Sequence, residues 1–432
     1  MRKNLKIRST NFDLVLGDVN KNKEIIKDLV KNAYDDGVSI LSLPELSLTG
    51  ASLYDGYKDI ALLCEDAILE LKEFSKGYNI LFSVGFPLQH NRKIYNAIAL
   101  IMDGYLVDLF TKKNLSIIEK NVFASDIPDG EGIQFLDGWC EVNPSSTSIS
   151  QLNIAVSIGE DELMNIPRSL TYKSDIANCP QIILNPTAEV KMALNEDEIL
   201  NRIKFLSKDV TYVYTSQGRG ESTTDFVYGG FNIIAENGQV EKVICNDQID
   251  FVNRYRIYTD QELLHFDKFE ENIGQKKKFP YLPIYEKRDT YVKDVLDIGA
   301  SALLTRMQKI GVKNVFLGVS GGLDSTMALL FLVHAYKKAG YDLSRINCYT
   351  MPAFGTSDRT KSNAYLLCKA LGLELKEINI TDAVKIHLRD IGHDGKTPDT
   401  AYENAQARER TQILFDLANM HKGIVIGTGD LS

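Results

Sequence analysis

Apolar positions in the first 250 residues recur with two alternating periods. LKIRST reads as a short strand, and Asp18 is placed to cap a helix whose Ile25, Ile26, Leu29, Val30 and Ala33 share one face. Gly37 stops that helix, and VSILSL is a strand ending at Pro44-Glu45. A second amphipathic helix covers residues 56–76, and NILFSVGFPL and YNAIALIMDGYLVDLF supply further strands, with Asp103-Gly104 as a hairpin turn. NIAVSI, QIILNP, VTYVYTS and GFNIIAENGQVEKV extend the strand signal, and Asn237-Gly238 marks another hairpin. This is the pattern of a mixed α/β layer fold.

Between residues 256 and 289 the periodicity lapses into charge and prolines, ENIGQKKKFPYLPIYEKRD, which sets a domain boundary. A helix carrying Val292, Val295, Leu296, Leu303 and Met307 then opens a second series. NVFLGV, RINCYTM, LELKEINI and GIVIGTG read as strands, with helices over 325–339, 357–371 and 400–420. Such alternation predicts a doubly wound parallel sheet with helices on both faces. No internal repeat interrupts either series.

Bulk properties narrow the class. A chain of 432 residues exceeds one ordinary core and suggests two or three domains. With 44% hydrophobic and 25% charged residues it has a globular composition, and no apolar run approaches a membrane span. The start, MRKNLKIRSTNF, lacks the apolar stretch of a signal peptide, so a cytoplasmic protein is expected. A net charge of −9 without a basic stripe argues against nucleic acid as a partner. The six cysteines show no C-x-x-C pair or metal-type spacing and are expected as buried thiols in a reducing compartment. His387 and His393 are expected on the surface or in supporting contacts, not as metal ligands.

Two turns carry candidate chemistry. In GVSGGLDST, Gly318–Thr326, a strand passes into a helix through Gly321 and Gly322, which let the main chain approach a ligand closely. The helix start presents free N–H groups and a positive dipole end, a combination that favours phosphate. Ser320, Ser325 and Thr326 add hydroxyls, and Asp324 adds a hard oxygen suited to Mg²⁺. The bland alternative is a plain strand-to-helix turn with two glycines, and Walker A spacing is absent. The other turn is AVSIGEDEL, residues 155–163, whose apex at the rim of a sheet is Gly159.

SGGLDS resembles the pyrophosphatase loop of enzymes that transfer AMP from ATP to a substrate. TMPAFGTSDRT (350–360), YENAQARERTQILFDLAN (402–419) and GTGDLS (427–432) are similar to NAD synthetases. PELSLTG (44–50), FTKKNL and GESTTD (220–225) resemble the nitrilase-like domain of the glutamine-dependent members. The resemblance therefore implies a nitrilase-like αββα sandwich over 1–255, a linker over 256–289, and over 290–432 a Rossmann-like sheet of the ATP pyrophosphatase type. It implies ATP-dependent amidation of deamido-NAD to NAD through an acyl-adenylate, with ATP and Mg²⁺ as cofactors, and self-association as a homo-oligomer. Gly318, Ser320, Gly321, Gly322, Leu323, Asp324, Ser325 and Thr428 would hold ATP, with Asp324 on the metal. Asn404, Gln406 and Arg408 would face deamido-NAD, although periodicity alone reads 402–419 as a solvated helix. The family continues beyond the point where this chain stops, so the second sheet is expected to be incomplete.

The nitrilase-like domain of this family hydrolyses glutamine with a Glu–Lys–Cys triad. Glu45 fits the base and Lys112 the lysine, with Lys113 as a register-shifted alternative. The nucleophile belongs in a segment of the type I-C-E-D, which here reads Ile158-Gly159-Glu160-Asp161. Cys64 and Cys179 lie in the wrong contexts to replace it. A second departure is Glu189, in a segment expected to bind the glutamine α-carboxylate, where KMALNEDEIL supplies no arginine and Glu189 would repel the ligand. Two functions follow from these departures. One is a synthetase fed by free ammonia beside a silent glutaminase; the other is a non-catalytic scaffold with a crippled nucleotide-binding domain.

Overall fold

The computed structural model of the chain describes residues 4–149, 152–161, 180–218, 220–221, 226–245, 248–254, 283, 285–354 and 358–429. Two compact units emerge, Met1–Pro283 and Ile284–Ser432. Most of the expected linker, together with residues 222–225, 355–357 and 430–432 of the quoted motifs, lies outside the described residues.

The first unit runs β1 (Asn4–Thr10), α1 (Val19–Asp35), β2 (Ile40–Ser42), α2 (Tyr57–Phe74), β3 (Leu81–His90), β4 (Lys93–Met102) and β5 (Tyr105–Thr111). It continues through β6 (Glu131–Phe135), β7 (Gly138–Val142), β8 (Thr147–Ile149), β9 (Leu152–Val156), β10 (Ile182–Thr187) and α3 (Glu196–Leu206). β11 (Thr211–Ser216), β12 (Phe231–Glu236), β13 (Gln239–Cys245) and β14 (Gln248–Arg254) follow. Eight strands form one sheet in the order β14-β1-β2-β3-β4-β5-β7-β6, and six form another, β13-β12-β11-β10-β9-β8.

These two sheets share one apolar layer, in which Ile7, Ile98, Leu100 and Phe110 meet Ile154, Leu184, Val213 and Ile234. On the far side of the first sheet, Ile26 and Val30 of α1 and Ile68 and Leu71 of α2 pack against Leu41, Phe82 and Val84. α3 covers the second sheet through Ile199 and Ile203, which meet Ile183 and Tyr212. Both faces of each sheet are thus covered, which is why KIYNAIALIM in β4 is almost continuously apolar instead of alternating. Each fully buried aliphatic side chain in these layers contributes about 1.5–3 kcal/mol. The expected αββα arrangement is the one found.

Local signals behave as the sequence suggests. The Asp18 carboxylate accepts from the Lys21 N–H at 3.0 Å and caps α1. Both residues of Asp103-Gly104 and of Asn237-Gly238 take positive φ, as tight hairpins of the primed type require. The short, half-polar strands β6, β7 and β14, and the helix α3, are elements the sequence reading did not place.

The second unit comprises α4 (Arg288–Lys309), β15 (Val315–Gly318), α5 (Leu323–Ala339), β16 (Ile346–Thr350), α6 (Asp358–Ala370), β17 (Leu375–Glu377), α7 (Thr381–Asp390), α8 (Thr400–Met420) and β18 (Ile424–Val425). Its four described strands are parallel, in the order β17-β16-β15-β18. Val315 and Leu317 point to one face, with Leu332, Tyr336 and Cys348. Phe316 points to the other, with Tyr349, Leu388, Leu414 and Ala418. The chain runs outward from β15 to β17 and then returns to place β18 on the other side of β15. That reversal makes the carboxyl ends of β15 and β18 a topological switch point, the usual ligand position in open parallel sheets. Among the described residues, no helix is long and apolar enough to cross a membrane.

Candidate active site

In the first unit the chain leaves β2 at Ser42 and reaches Glu45 three residues later. The crossing runs so close to β3 that a β-carbon on Gly85 would lie 2.2 Å from the Leu46 nitrogen. Only glycine at that point of β3 lets the Glu45 loop seat. Glu45 is 1% exposed. Its Oε1 accepts from the Asn96 Nδ2 at 2.5 Å and from the Lys112 Nζ at 2.8 Å. Its Oε2 accepts from the Ala188 N–H at 3.0 Å.

Lys112, directly after β5, bridges two carboxylates, since its Nζ also donates to Glu119 Oε1 at 2.7 Å. Burial raises the Glu45 carboxyl above its ordinary range, against the pull of the Lys112 ammonium. Burial also works against the Lys112 charge, but Glu45 and Glu119 together outweigh it and hold the amine protonated. For Glu119 burial is again opposed by Lys112, and here the cation prevails and lowers the carboxyl. Glu119 is therefore the settled counter-ion and Glu45 the more basic carboxylate, the character a proton acceptor needs.

Gly159 completes the cluster. It sits at φ +59, donates its N–H to the Pro186 carbonyl at 2.9 Å, and accepts from Asn185 Nδ2 at 2.9 Å. A β-carbon here would meet Lys112 Nζ at 2.8 Å, Lys112 Cε at 2.9 Å and Glu45 Oε2 at 3.3 Å. So the three positions singled out in the sequence converge, and the space beside Gly159 is taken by the lysine. Lys113 turns away, its amine reaching the Ile127 carbonyl and Asp129, which removes the register-shifted alternative.

Sequence reasoning missed three supports. Asp161 accepts from the backbone N–H groups of Lys113 (3.0 Å) and Asn114 (2.6 Å), tying the 159 turn to the lysine loop. Asn96 holds Glu45, and its buried Oδ1 has no hydrogen-bond partner among the described residues. Glu119 carried a readable signal, because Ser116-Ile117-Ile118-Glu119 has capping-box spacing. The box forms: Ser116 N–H donates to Glu119 Oε2 at 2.8 Å, and Glu119 N–H to Ser116 Oγ at 3.2 Å.

One expectation needs correction. Glu189 is not a free charge awaiting a carboxylate. Arg202 of α3, two residues past KMALNEDEIL, forms an ion pair with it, and the Tyr214 hydroxyl donates to Glu189 Oε2 at 2.7 Å. The helical turn between 196 and 202 brings that arginine back over the strand end. Of the GESTTD stretch, Glu221 is described and buried, accepting from Ser52 Oγ at 2.5 Å and from the Ala51 N–H.

The second unit presents the phosphate-type turn at the end of β15. Gly321 takes φ +80, and Gly322 is extended at the start of α5. Ser320 Oγ lies 3.1 Å from Ser325 Oγ and accepts from the Gly322 N–H at 3.3 Å. Thr326 Oγ1 donates to the Gly322 carbonyl at 2.8 Å. The Asp324 and Leu323 side chains are exposed, so the first turn of α5 opens outward. β18 runs beside β15, with the Ile426 N–H donating to the Phe316 carbonyl at 2.9 Å, and Thr428 follows it to the same sheet end. On α8, Asn404 and Arg408 share an exposed face. Gln406 does not join them: it is 4% exposed and its Nε2 donates to the Tyr402 carbonyl at 3.2 Å. Two residues along a helix turn a side chain to the opposite face.

The four described free cysteines, Cys64, Cys140, Cys348 and Cys368, are buried thiols. Cys64 lies on the inner face of α2, and burial pushes its thiol well above the ordinary range. No cluster of potential metal ligands occurs among the described side chains.

Residues 6–202 match the carbon-nitrogen hydrolase family and residues 298–432 the NAD synthase family. A glutamine-dependent NAD(+) synthetase of Mycobacterium leprae is 31% identical over 99% of this chain and 70% of its own length. One from Thermotoga maritima is 23% identical, over 100% of this chain and 75% of that protein. A solved glutamine-dependent NAD+ synthetase of Acinetobacter baumannii, in complex with adenosine diphosphate, superposes with a TM-score of 0.75 at 19% identity, covering 99% of this chain and 75% of that one. That last likeness is one of fold.

Proposed function

Because this chain belongs to the family of glutamine-dependent NAD(+) synthetases, we propose that it is a ligase converting deamido-NAD to NAD with ATP and ammonia. We assign the synthetase to residues 290–432, the nitrilase-like domain to 1–255 and the linker to 256–289. The observation carrying this reading is the turn Gly318–Thr326, seated at the switch point of a parallel sheet with a helix start open above it. The assembly expected is a homo-oligomer in a reducing, cytoplasmic setting, in keeping with buried unpaired thiols.

A carboxylate is a poor electrophile, so the pyridine carboxylate must first gain a leaving group. Its oxygen attacks the α-phosphorus of ATP, and pyrophosphate departs. Ammonia then adds to the acyl carbon and AMP leaves with the C–O bonding pair, giving the amide. The backbone N–H groups at the start of α5, with Ser320 and Ser325, would face the phosphates and stabilise charge on the departing pyrophosphate, while the Thr326 hydroxyl braces the turn through the Gly322 carbonyl. Asp324 has an exposed carboxylate in this turn and fits one ligand position for Mg²⁺, which when bound would neutralise phosphate charge. Thr428 would contact ATP from the β18 side, and Asn404 with Arg408 would face the dinucleotide.

The nitrilase-like unit supplies no ammonia in this reading. It keeps a base and a lysine but has no side chain at 159, and loss of a covalent nucleophile costs on the order of 10⁶ in kcat, or roughly 8 kcal/mol. The full chain should form NAD from deamido-NAD and ATP with ammonium chloride but not with glutamine. Equal rates from glutamine would refute the silent glutaminase. Absence of deamido-NAD-dependent exchange between ATP and pyrophosphate would instead favour the scaffold.

A further inference from the structure

A cavity of about 470 Å³ opens in the first unit, and neither Glu45, Lys112 nor Glu119 lines it. Its floor is apolar, made of Ile94, Val122, Phe123 and Ala124, and its rim carries Lys58, Arg92 and Lys93. That volume suits a small organic molecule. Lys93 is paired with Asp126, whereas Lys58 and Arg92 have no ion-pair partner among the described residues. Two uncompensated cations above an aromatic and aliphatic floor match a dianion carrying an apolar body.

Arg92 holds its place against its own backbone. It is the second residue of the two-residue turn between β3 and β4, where Asn91 has φ +49 and Arg92 φ +64. Two other hairpins of this chain, Asp103-Gly104 and Asn237-Gly238, carry glycine at that position, as left-handed geometry favours. A long cation there gives up local stability for its side chain, a pattern that marks functional positions. The guanidinium fork also matches a phosphate group better than it matches an isolated oxygen.

We propose that this cavity is a binding site for a small phosphate monoester with an apolar or ring-shaped body, held by Arg92 and Lys58 over Phe123. The site stands independently of the NAD-forming reaction. Its test uses the full chain and phenyl phosphate, with inorganic phosphate and benzyl alcohol as charge-only and ring-only probes, followed by titration calorimetry. Phenyl phosphate should bind at least about tenfold more tightly than either control. Arg92→Gly should weaken it at least about tenfold while raising the melting temperature, since glycine relieves the turn. Lys58→Ala, on the exposed start of α2, should weaken binding without altering stability. Equal affinity for phenyl phosphate and inorganic phosphate would reduce the rim to diffuse charge and overturn the proposal. So would undiminished binding in Arg92→Gly, or a lowered melting temperature in that variant.

Discussion

The Lys112 ammonium stands 2.8 Å from the point where Gly159 would carry a β-carbon. A cysteine there and the lysine in its present position would contend for the same space. Gly159→Cys should therefore destabilise the chain by about 1–3 kcal/mol, combining left-handed φ with crowding. It should release no glutamate from glutamine above background. Thermal unfolding and a glutamate assay read both effects, and a brisk glutaminase in this variant would show that the lysine moves aside at little cost.

Lys112 is flanked by the buried carboxylate of Glu45 and the half-buried one of Glu119, so its removal leaves like charges facing each other. Lys112→Met should cost about 3–5 kcal/mol in denaturant unfolding, as expected for breaking a buried ion pair from one side. Adding Glu45→Gln and Glu119→Gln should recover most of that loss. If Lys112→Met alone is neutral, the triad contributes nothing to the fold.

The exposed Asp324 side chain makes no hydrogen bond or ion pair among the described residues, so Asp324→Asn should fold normally. We expect ATP–pyrophosphate exchange to fall by about 10²-fold or more, on the scale of losing one electrostatic contact to developing charge. Circular dichroism separates this from unfolding. Unchanged exchange would move the metal ligand elsewhere.

Asp297 on α4 gathers three partners: His334 at 2.8 Å, Lys338 at 3.0 Å and Lys293 at 3.0 Å. Partial burial works against its charge, but these donors outweigh burial and hold the carboxyl well below the usual range. A depressed folded value means the stabilisation is complete above the unfolded carboxylate pKa, about 3.9, and is lost as pH falls through the folded one. The stability gap between wild type and Asp297→Asn should therefore be constant near neutrality and shrink below about pH 4. A gap that widens in acid would contradict this sign.

Much of this was legible along the chain because it depends on short-range pattern. Continuous apolar strands, the Asp18 cap and the two glycine hairpins announce themselves within a few residues, and so does the turn at Gly321-Gly322. What stayed hidden depends on contacts between distant segments. Arg202 reaches Glu189 only because α3 folds back, and Asn96 supports Glu45 only because β4 passes beneath the loop. The burial of Gln406 between the exposed Asn404 and Arg408 follows from helix geometry, which the resemblance did not address. Convergence of Glu45, Lys112 and position 159 followed from resemblance, not from any local rule.

Glu119 both closes the capping box with Ser116 and neutralises Lys112. Fraying of this single turn would thus leave the buried ammonium with Glu45 as its remaining carboxylate, coupling a backbone fluctuation to an electrostatic one. Amide exchange at Glu119 and solvent access to the lysine should then report the same opening event, with one shared free energy.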